Sequence, residues 1–169
     1  MSPTSALPLA RTFLRVLMIL NWMVGAAILA LLVATVVAGQ WTFTALGIAP
    51  SSQSGPMTYG LRTIAALGLV AIPLNHAVLK RLLAIVDTVR TGDAFVAANA
   101  GRLQAIAWVL LALQVDSILI GAIGGAISTS AHPLHLNAGF SASGWLAEIL
   151  TFVLARVFAD GARMREDLE

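Results

Sequence analysis

The sequence predicts an all-α integral membrane protein, a four-helix transmembrane bundle with both termini in the cytoplasm. The first observation is the composition: 59% of the 169 residues are hydrophobic and only 11% are charged, whereas ordinary soluble domains carry about 25% charged residues. The second is a series of four apolar segments, each near the ~20 residues that an α-helix needs to cross a bilayer. The third is the distribution of basic residues along that series.

Nine of the ten Lys and Arg residues fall on one side of the alternating segments. These nine precede the first segment, lie between the second and third, or lie at or beyond the end of the fourth: Arg11, Arg15, Lys80, Arg81, Arg90, Arg102, Arg156, Arg163 and Arg165. Arg62 is the exception. Because basic loops stay cytoplasmic during membrane insertion, this pattern predicts that both termini are inside.

The same composition excludes several classes of protein. Four spans occupy about half of the chain, so no separate soluble domain is expected. The basic residues do not form the one-sided cluster of a soluble DNA-binding domain, so direct nucleic-acid binding is not expected. The chain has no cysteine, which excludes disulfides, thiolate metal sites and cysteine nucleophiles.

The apolar segments place the four spans at about residues 15–38, 60–79, 103–127 and 143–158, within a single membrane domain of residues 11–169. Residues 1–10 contain two prolines and are expected to form a flexible N-terminal tail. The first apolar run, residues 16–38, is longer than the ~7–15 residues of a signal-peptide core. We therefore expect an uncleaved first span rather than a signal peptide.

Small residues recur at helical spacing in two of the predicted spans. In the first span they form a stripe that predicts close helix packing: Ala26, Ala30, Ala34 and Ala38. In the third span, Gly121 and Gly125 form a GxxxG pair. This pair favours packing inside the bundle, with a dimer interface as the alternative.

The second predicted span contains Pro73, which predicts a kink because proline cannot donate a helix hydrogen bond. Residues 80–90 follow this span with an amphipathic pattern. They are expected to form a cytoplasmic amphipathic extension between helices 2 and 3.

Two carboxylates lie at membrane depth, Asp116 in the third span and Glu148 near the outer end of the fourth. A carboxylate near the bilayer centre costs at least ~2.5 kcal/mol, so it should face the bundle or a wet cavity. One interpretation is a proton or cation site. The other is an Asp116 that joins helices by hydrogen bonds to polar residues of the bundle, for which the candidates are Asn21, Asn75, Gln114 and Ser117.

Arg62 and Glu148 are predicted at similar depth. This favours a salt bridge between the second and fourth spans, although both side chains could instead extend to water.

Three histidines were considered as ligands. His132 and His135 have a spacing that could chelate a metal, but the proline between them and the lack of a third ligand favour a solvated loop. His76 is predicted to be an interfacial histidine. No catalytic, cofactor or metal site is predicted, and no Walker A, HExxH or nucleophile-elbow motif is present.

Two segments of the chain resemble a known family. One is Thr91-Gly92-Asp93-Ala94-Phe95 with the following Asn99-Ala100-Gly101-Arg102-Leu103, and the other begins with Phe152-Val153-Leu154-Ala155-Arg156 and ends with Met164-Arg165-Glu166-Asp167-Leu168-Glu169. Together they resemble DUF2975, a bacterial family of four-span membrane proteins of unknown function, over essentially residues 11–169. The motif residues that we single out are Asp93, Phe95, Asn99, Arg102, Arg156, Glu166 and Asp167.

The resemblance implies a regulatory role, because members of that family often lie beside a small helix-turn-helix regulator. Residues 80–102 and 156–169 would then form a cytoplasmic docking face. The alternative is that these segments only close the inner end of the bundle, with Asn99 and Arg102 hydrogen-bonded to carboxylates of the C-terminal tail, namely Glu166, Asp167 or Glu169.

The leading functional hypothesis is thus a non-enzymatic protein of the bacterial inner membrane that binds the lipid bilayer and a cytoplasmic helix-turn-helix regulator. The alternative is a small transporter or channel component that uses Asp116 and Glu148. A four-span transporter would need to form a homo-oligomer. An enzyme has little support, because no nucleophile–base pair or metal-ligand set is evident.

Overall fold

The computed structural model describes residues 3–38, 54–90, 96–128 and 139–166. These residues form four α-helices and no strand. The helices are α1 (Pro3–Val37), α2 (Ser54–Arg90), α3 (Ala97–Ile127) and α4 (Ala142–Glu166). Each contains a segment long and apolar enough to cross a membrane. The predicted all-α class with four such helices is confirmed.

Each helix extends beyond the span that hydropathy predicts. α1 begins at Pro3 and contains Pro8, so the predicted tail is helical from Pro3 onward. Proline suits the first turn of a helix, where its missing N–H would have no partner. α2 runs without a break through residues 80–90. The difference arises because hydropathy marks the apolar part of a helix and not its full hydrogen-bonded length.

The chain divides into two compact units. The charged unit consists of Met1–Asn21, Leu74–Gln114 and Ser141–Glu169, and the apolar unit consists of Trp22–Pro73 and Val115–Phe140. Helices α1, α2 and α3 contribute to both units, whereas all of α4 belongs to the charged unit. The single domain predicted from the sequence stays a prediction.

The names of the units reflect their charges. Of the ten Lys and Arg and eight Asp and Glu residues, only Arg62 and Asp116 lie in the apolar unit. The other sixteen lie in the charged unit. The sorting of basic residues along the chain is therefore also a sorting between packing units.

In the apolar unit, α1 packs through a face centred on Gly25 and Thr35, both of which are buried. A methyl group added to Gly25 would lie 3.0 Å from Cγ2 of Ile72 on α2. The predicted alanine stripe is not this face, since Ala26, Ala30 and Ala38 are exposed. The prediction was wrong because a bare glycine allows a closer approach than an alanine.

A second close approach joins α2 to α3 in the apolar unit. A methyl group added to Gly60 would lie 2.6 Å from Cγ2 of Ile127. By contrast, no atom of the described residues lies within 4 Å of the corresponding position on Gly125. The prediction that the GxxxG pair packs inside the bundle is therefore wrong for Gly125 as far as the described residues show.

In the charged unit, α4 begins at a side-chain cap. The Gly144 N–H donates a 3.2 Å hydrogen bond to Ser141 Oγ, which precedes the helix. This satisfies one of the backbone donors that a helix leaves open at its N-terminus. Gly144 also adjoins α3, because a methyl group there would lie 2.5 Å from Gln114 Oε1.

Large apolar side chains cover much of the described surface. Examples from the four helices are Phe13, Val70, Val115 and Leu146, all exposed. Contiguous apolar surface of this kind marks a membrane or protein contact. It is consistent with the four helices being long and apolar enough to span a bilayer.

Candidate functional site

A polar network lies between α2 and α3 in the charged unit. Its centre is Asn99, whose side chain is fully buried. The Asn99 amide Nδ2 donates a 2.8 Å hydrogen bond to Thr88 Oγ1. Arg102, one turn further along α3, donates to Asn99 Oδ1 at 2.7 Å and to the Ala84 carbonyl at 3.3 Å. Two residues of α3 are thus joined to the last turns of α2.

The donors and acceptors of this network define one consistent arrangement. A guanidinium can only donate, so the oxygen of the Asn99 amide must face Arg102. The amide nitrogen then faces Thr88, and the Thr88 hydroxyl is left to donate to the Ile85 carbonyl at 2.8 Å. Each group that is buried thereby gains a partner, as buried polar groups require.

Burial determines what these residues can contact. Asn99 has no exposed surface, so it cannot contact a docked protein directly. Its role is to hold the start of α3 against α2. Arg102 is half-buried and serves the same network. Besides the hydrogen bond between them, the described side-chain partners of both residues lie on α2.

The other motif residues that resemble the family lie mostly outside the described parts. Asp93 and Phe95 fall in the segment between α2 and α3 that the structure does not describe. The Glu166 side chain, together with Asp167 and Glu169, is also outside the description. The predicted hydrogen bonds from Asn99 and Arg102 to tail carboxylates stay a prediction.

Two aspartates of the charged unit each lie between two arginines. Asp87 on α2 is 3.4 Å from Arg11 on α1 and 4.0 Å from Arg90. On α4, Asp160 is 3.2 Å from Arg156 and 3.9 Å from Arg163. In each cluster one carboxylate faces two guanidinium groups, so each cluster keeps a net positive charge.

In the apolar unit, Arg62 caps the end of another helix. It donates a hydrogen bond from Nη2 to the carbonyl of Thr35 on α1. Carbonyls in the last turn of a helix lack an intrahelical donor, and they carry the negative end of the helix dipole. A cation at this position is stabilising, which explains why the only basic residue of the apolar unit is there. The Thr35 hydroxyl is also satisfied, since it donates to the Leu32 carbonyl at 2.7 Å.

The two carboxylates predicted at membrane depth are both buried. Asp116 on α3 belongs to the apolar unit and Glu148 on α4 belongs to the charged unit. Among the described residues, Glu148 Oε2 has no hydrogen-bond partner. The predicted ion pair between Arg62 and Glu148 would join the two units and stays a prediction.

The polar residues proposed as partners of Asp116 have different surroundings. Ser117 Oγ accepts a 3.2 Å hydrogen bond from the Gly139 N–H. Asn75 is exposed, whereas Asn21 and Gln114 are half-buried. His76 is also half-buried, and its interfacial position stays a prediction.

A search for metal ligands covered the described residues only. Among them, no three His, Cys, Asp or Glu side chains lie close enough to hold a metal ion. His132 and His135 fall between residues 128 and 139, outside the described parts.

Sequence reasoning missed two contacts that involve threonines, and Arg62 takes part in one of them. Thr88 accepts the Asn99 amide, and Thr35 provides the carbonyl that Arg62 caps. The available signal was weak, because threonines within helices usually bond back to their own helix. Only the meeting of two helices shows which threonine gains a second partner.

Comparisons of the chain with models of known families, with curated proteins and with solved structures found no match. The resemblance to DUF2975 therefore stays an expectation from the two sequence segments.

Proposed function

We propose that the chain is a multi-pass protein of the bacterial inner membrane, with both termini in the cytoplasm. The distribution of charge between the two units is the main support: Arg62 is the only Lys or Arg outside the charged unit. Retention of basic segments in the cytoplasm during insertion accounts for this sorting.

Cysteine accessibility tests the proposed orientation. The natural chain has no cysteine, so single substitutions can be labelled without background. Ser52→Cys should react with a membrane-impermeant maleimide in intact spheroplasts, whereas Ala94→Cys should react only after the membrane is permeabilised. The reverse labelling pattern would overturn the orientation.

We also propose a non-enzymatic role, in which the cytoplasmic end of the charged unit binds a helix-turn-helix regulator. The partner class comes from the resemblance of the two segments to DUF2975. The proposal is supported by four exposed cations on α2 and α4, namely Lys80, Arg90, Arg156 and Arg163. The buried Asn99 network holds α3 against α2 next to them in the chain.

Site-directed photo-crosslinking tests this binding in native membranes. A photoreactive residue at position 90 or 163 should form an adduct with a protein that contains a helix-turn-helix domain. Trp22, exposed on the apolar unit, provides the matched control position. Adducts with such a protein at position 22 as well, or at none of the three positions, would contradict the proposal.

The burial of Asp116 and Glu148 favours one alternative, a small oligomeric transporter or channel component. A buried carboxylate within a membrane span often lies on a proton or cation pathway. On this alternative, Asp116→Asn abolishes proton or cation flux into proteoliposomes, whereas Asp160→Asn, at the half-exposed α4 cluster, leaves it intact. Absence of flux in the natural protein would eliminate the alternative.

A further inference from the structure

A cleft of about 330 Å³ lies between α3 and α4 in the charged unit. The cleft is open because several of its lining residues are small, among them Ala100, Gly101 and Ala155. Larger side chains at these positions would fill it. A second hollow of about 240 Å³ shares Ala100 and Arg163 with the first. The two form one groove along the facing sides of the helices.

The groove has a basic rim. Arg156 and Arg163 both line it, and both side chains are exposed. Asp160 lies between them, 3.2 Å from Arg156 Nε and 3.9 Å from Arg163 Nη1. One carboxylate orients both guanidinium groups but cannot neutralise them. Each guanidinium has five N–H donors, so most remain available to an anion.

The other end of the groove is apolar. Phe152, one turn before Arg156 on α4, lines the groove, and its ring meets that of Trp108 edge-on at 5.4 Å. Trp108 is 57% exposed. An indole of this kind is typical of the membrane interface, where one side is apolar and the other is wet. Phe152 lines the groove together with Gln104, and Trp108 extends the aromatic surface beyond the lining.

We propose that this groove binds an anionic phospholipid, with the phosphate at Arg156 and Arg163 and an acyl chain along Phe152 and Trp108. The inference rests on the membrane location proposed above. Because Arg156 and Arg163 also belong to the surface proposed for the regulator, the experiment below includes an outcome that separates the two ligands. Basic pockets between transmembrane helices at the cytoplasmic side are suited to anionic headgroups. Guanidinium groups suit them because they bind phosphate oxygens in a bidentate manner.

The aromatic wall favours a lipid over an acidic segment of a protein. A carboxylate-rich peptide would use the two arginines but would place no apolar group on the part of the groove that Phe152 lines. A lipid satisfies both ends of the groove at once.

Lipid titration of the purified full chain tests the proposal. The delipidated protein in detergent is titrated with short-chain phosphatidylglycerol, with phosphatidylcholine of the same chains, and with inorganic phosphate, and bound lipid is measured by native mass spectrometry. We expect the natural protein to prefer phosphatidylglycerol over both other ligands.

Variants then locate the binding. Arg156→Gln with Arg163→Gln should weaken phosphatidylglycerol binding about 30-fold, which corresponds to ~1 kcal/mol for each arginine near an anionic surface. Asp160→Asn should strengthen it, because the competing carboxylate is removed. The matched control is Arg15→Gln with Lys80→Gln, which removes the same charge from exposed residues of the charged unit that do not line the groove. Size-exclusion profiles check that all variants are folded.

Several outcomes would overturn the site. Equal affinity for phosphatidylcholine would exclude charge recognition, and equal affinity for inorganic phosphate would indicate a free-anion site. An equal loss in the control variant would indicate general surface charge. If the arginine variant keeps its lipid but loses the photo-crosslinked regulator, the groove is a protein-docking surface.

Carbonate extraction tests the membrane location separately from the lipid site. A chain released from membranes by carbonate would contradict the membrane location itself. A chain that resists carbonate but shows no lipid preference would contradict only the lipid site.

Discussion

The charged unit and the apolar unit are held together by different interactions. In the charged unit, the described contacts include a buried amide network and ion pairs around Asp87 and Asp160. In the apolar unit, glycines meet isoleucines across the helices, at Gly25 and at Gly60. The same helices α1, α2 and α3 take part in both kinds of packing.

This difference is the one expected if, as proposed, the helices pass from lipid to water. Where lipid surrounds a helix pair, apolar burial gives little advantage, and close approach of backbones gives the contact energy. Where water is near, polar and charged side chains can join helices and still be solvated. Stability measurements on single variants can break or sharpen this contrast between the two units.

The largest effect is expected from Asn99→Ala in the charged unit. The substitution leaves Arg102 and Thr88 without their amide partner, so we expect the free energy of unfolding to fall by about 2–3 kcal/mol. Unfolding of the purified protein in mixed detergent measures it. Asn75→Ala removes the same group from an exposed position on α2 and should have little effect. If both variants are equally stable, polar contacts do not hold the charged unit.

The next largest loss in the free energy of unfolding is expected from Gly60→Ala in the apolar unit. The new methyl group would lie 2.6 Å from Ile127 Cγ2 and must displace it, so we expect a loss of about 1–3 kcal/mol. Gly125→Ala is the matched control, and its helix propensity should make it neutral or slightly stabilising. Ile127→Ala should restore part of the stability of the Gly60→Ala protein. A Gly60→Ala protein as stable as the control would remove close glycine packing as the basis of the apolar unit.

Arg62→Ala should cost about 1 kcal/mol, because the last turn of α1 loses the donor to the Thr35 carbonyl. Thermal unfolding of Arg62→Ala and of the exposed control Arg15→Ala provides the comparison. A double-mutant cycle with Glu148→Gln extends the test. Additive effects would show that the helix cap accounts for Arg62, whereas a coupling energy would support the predicted ion pair with Glu148.

The smallest effect is expected from Asp87→Asn, about 0.5 kcal/mol, because its pairs with Arg11 and Arg90 are partly exposed to solvent. The difference from the natural protein should shrink as salt is raised, since salt screens exposed charges. Unfolding at low and high ionic strength measures it. A large loss that does not depend on salt would mean that Asp87 is less accessible to water than its exposure indicates.

The amino-acid sequence alone was sufficient to predict the helical class and the four membrane-competent segments. Both depend on local composition, since a long apolar run has few alternatives to a helix in lipid. Hydropathy alone underestimated helix length, since α1 begins at Pro3 and α3 begins at Ala97. The Lys and Arg residues that fall on one side of the predicted spans also fall in one packing unit, with Arg62 as the exception.

Only the tertiary structure decided which small residues pack and which polar residues pair. The alanine stripe and Gly125 carried the expected spacing, but among the described glycines close approaches to another helix occur at Gly25, Gly60 and Gly144. Asn99 carried the motif, but besides Arg102 its side chain bonds Thr88, eleven positions away on another helix. The physical reason is that spacing defines a face of a helix, whereas contact depends on the rotation and register of two helices, which no single segment encodes.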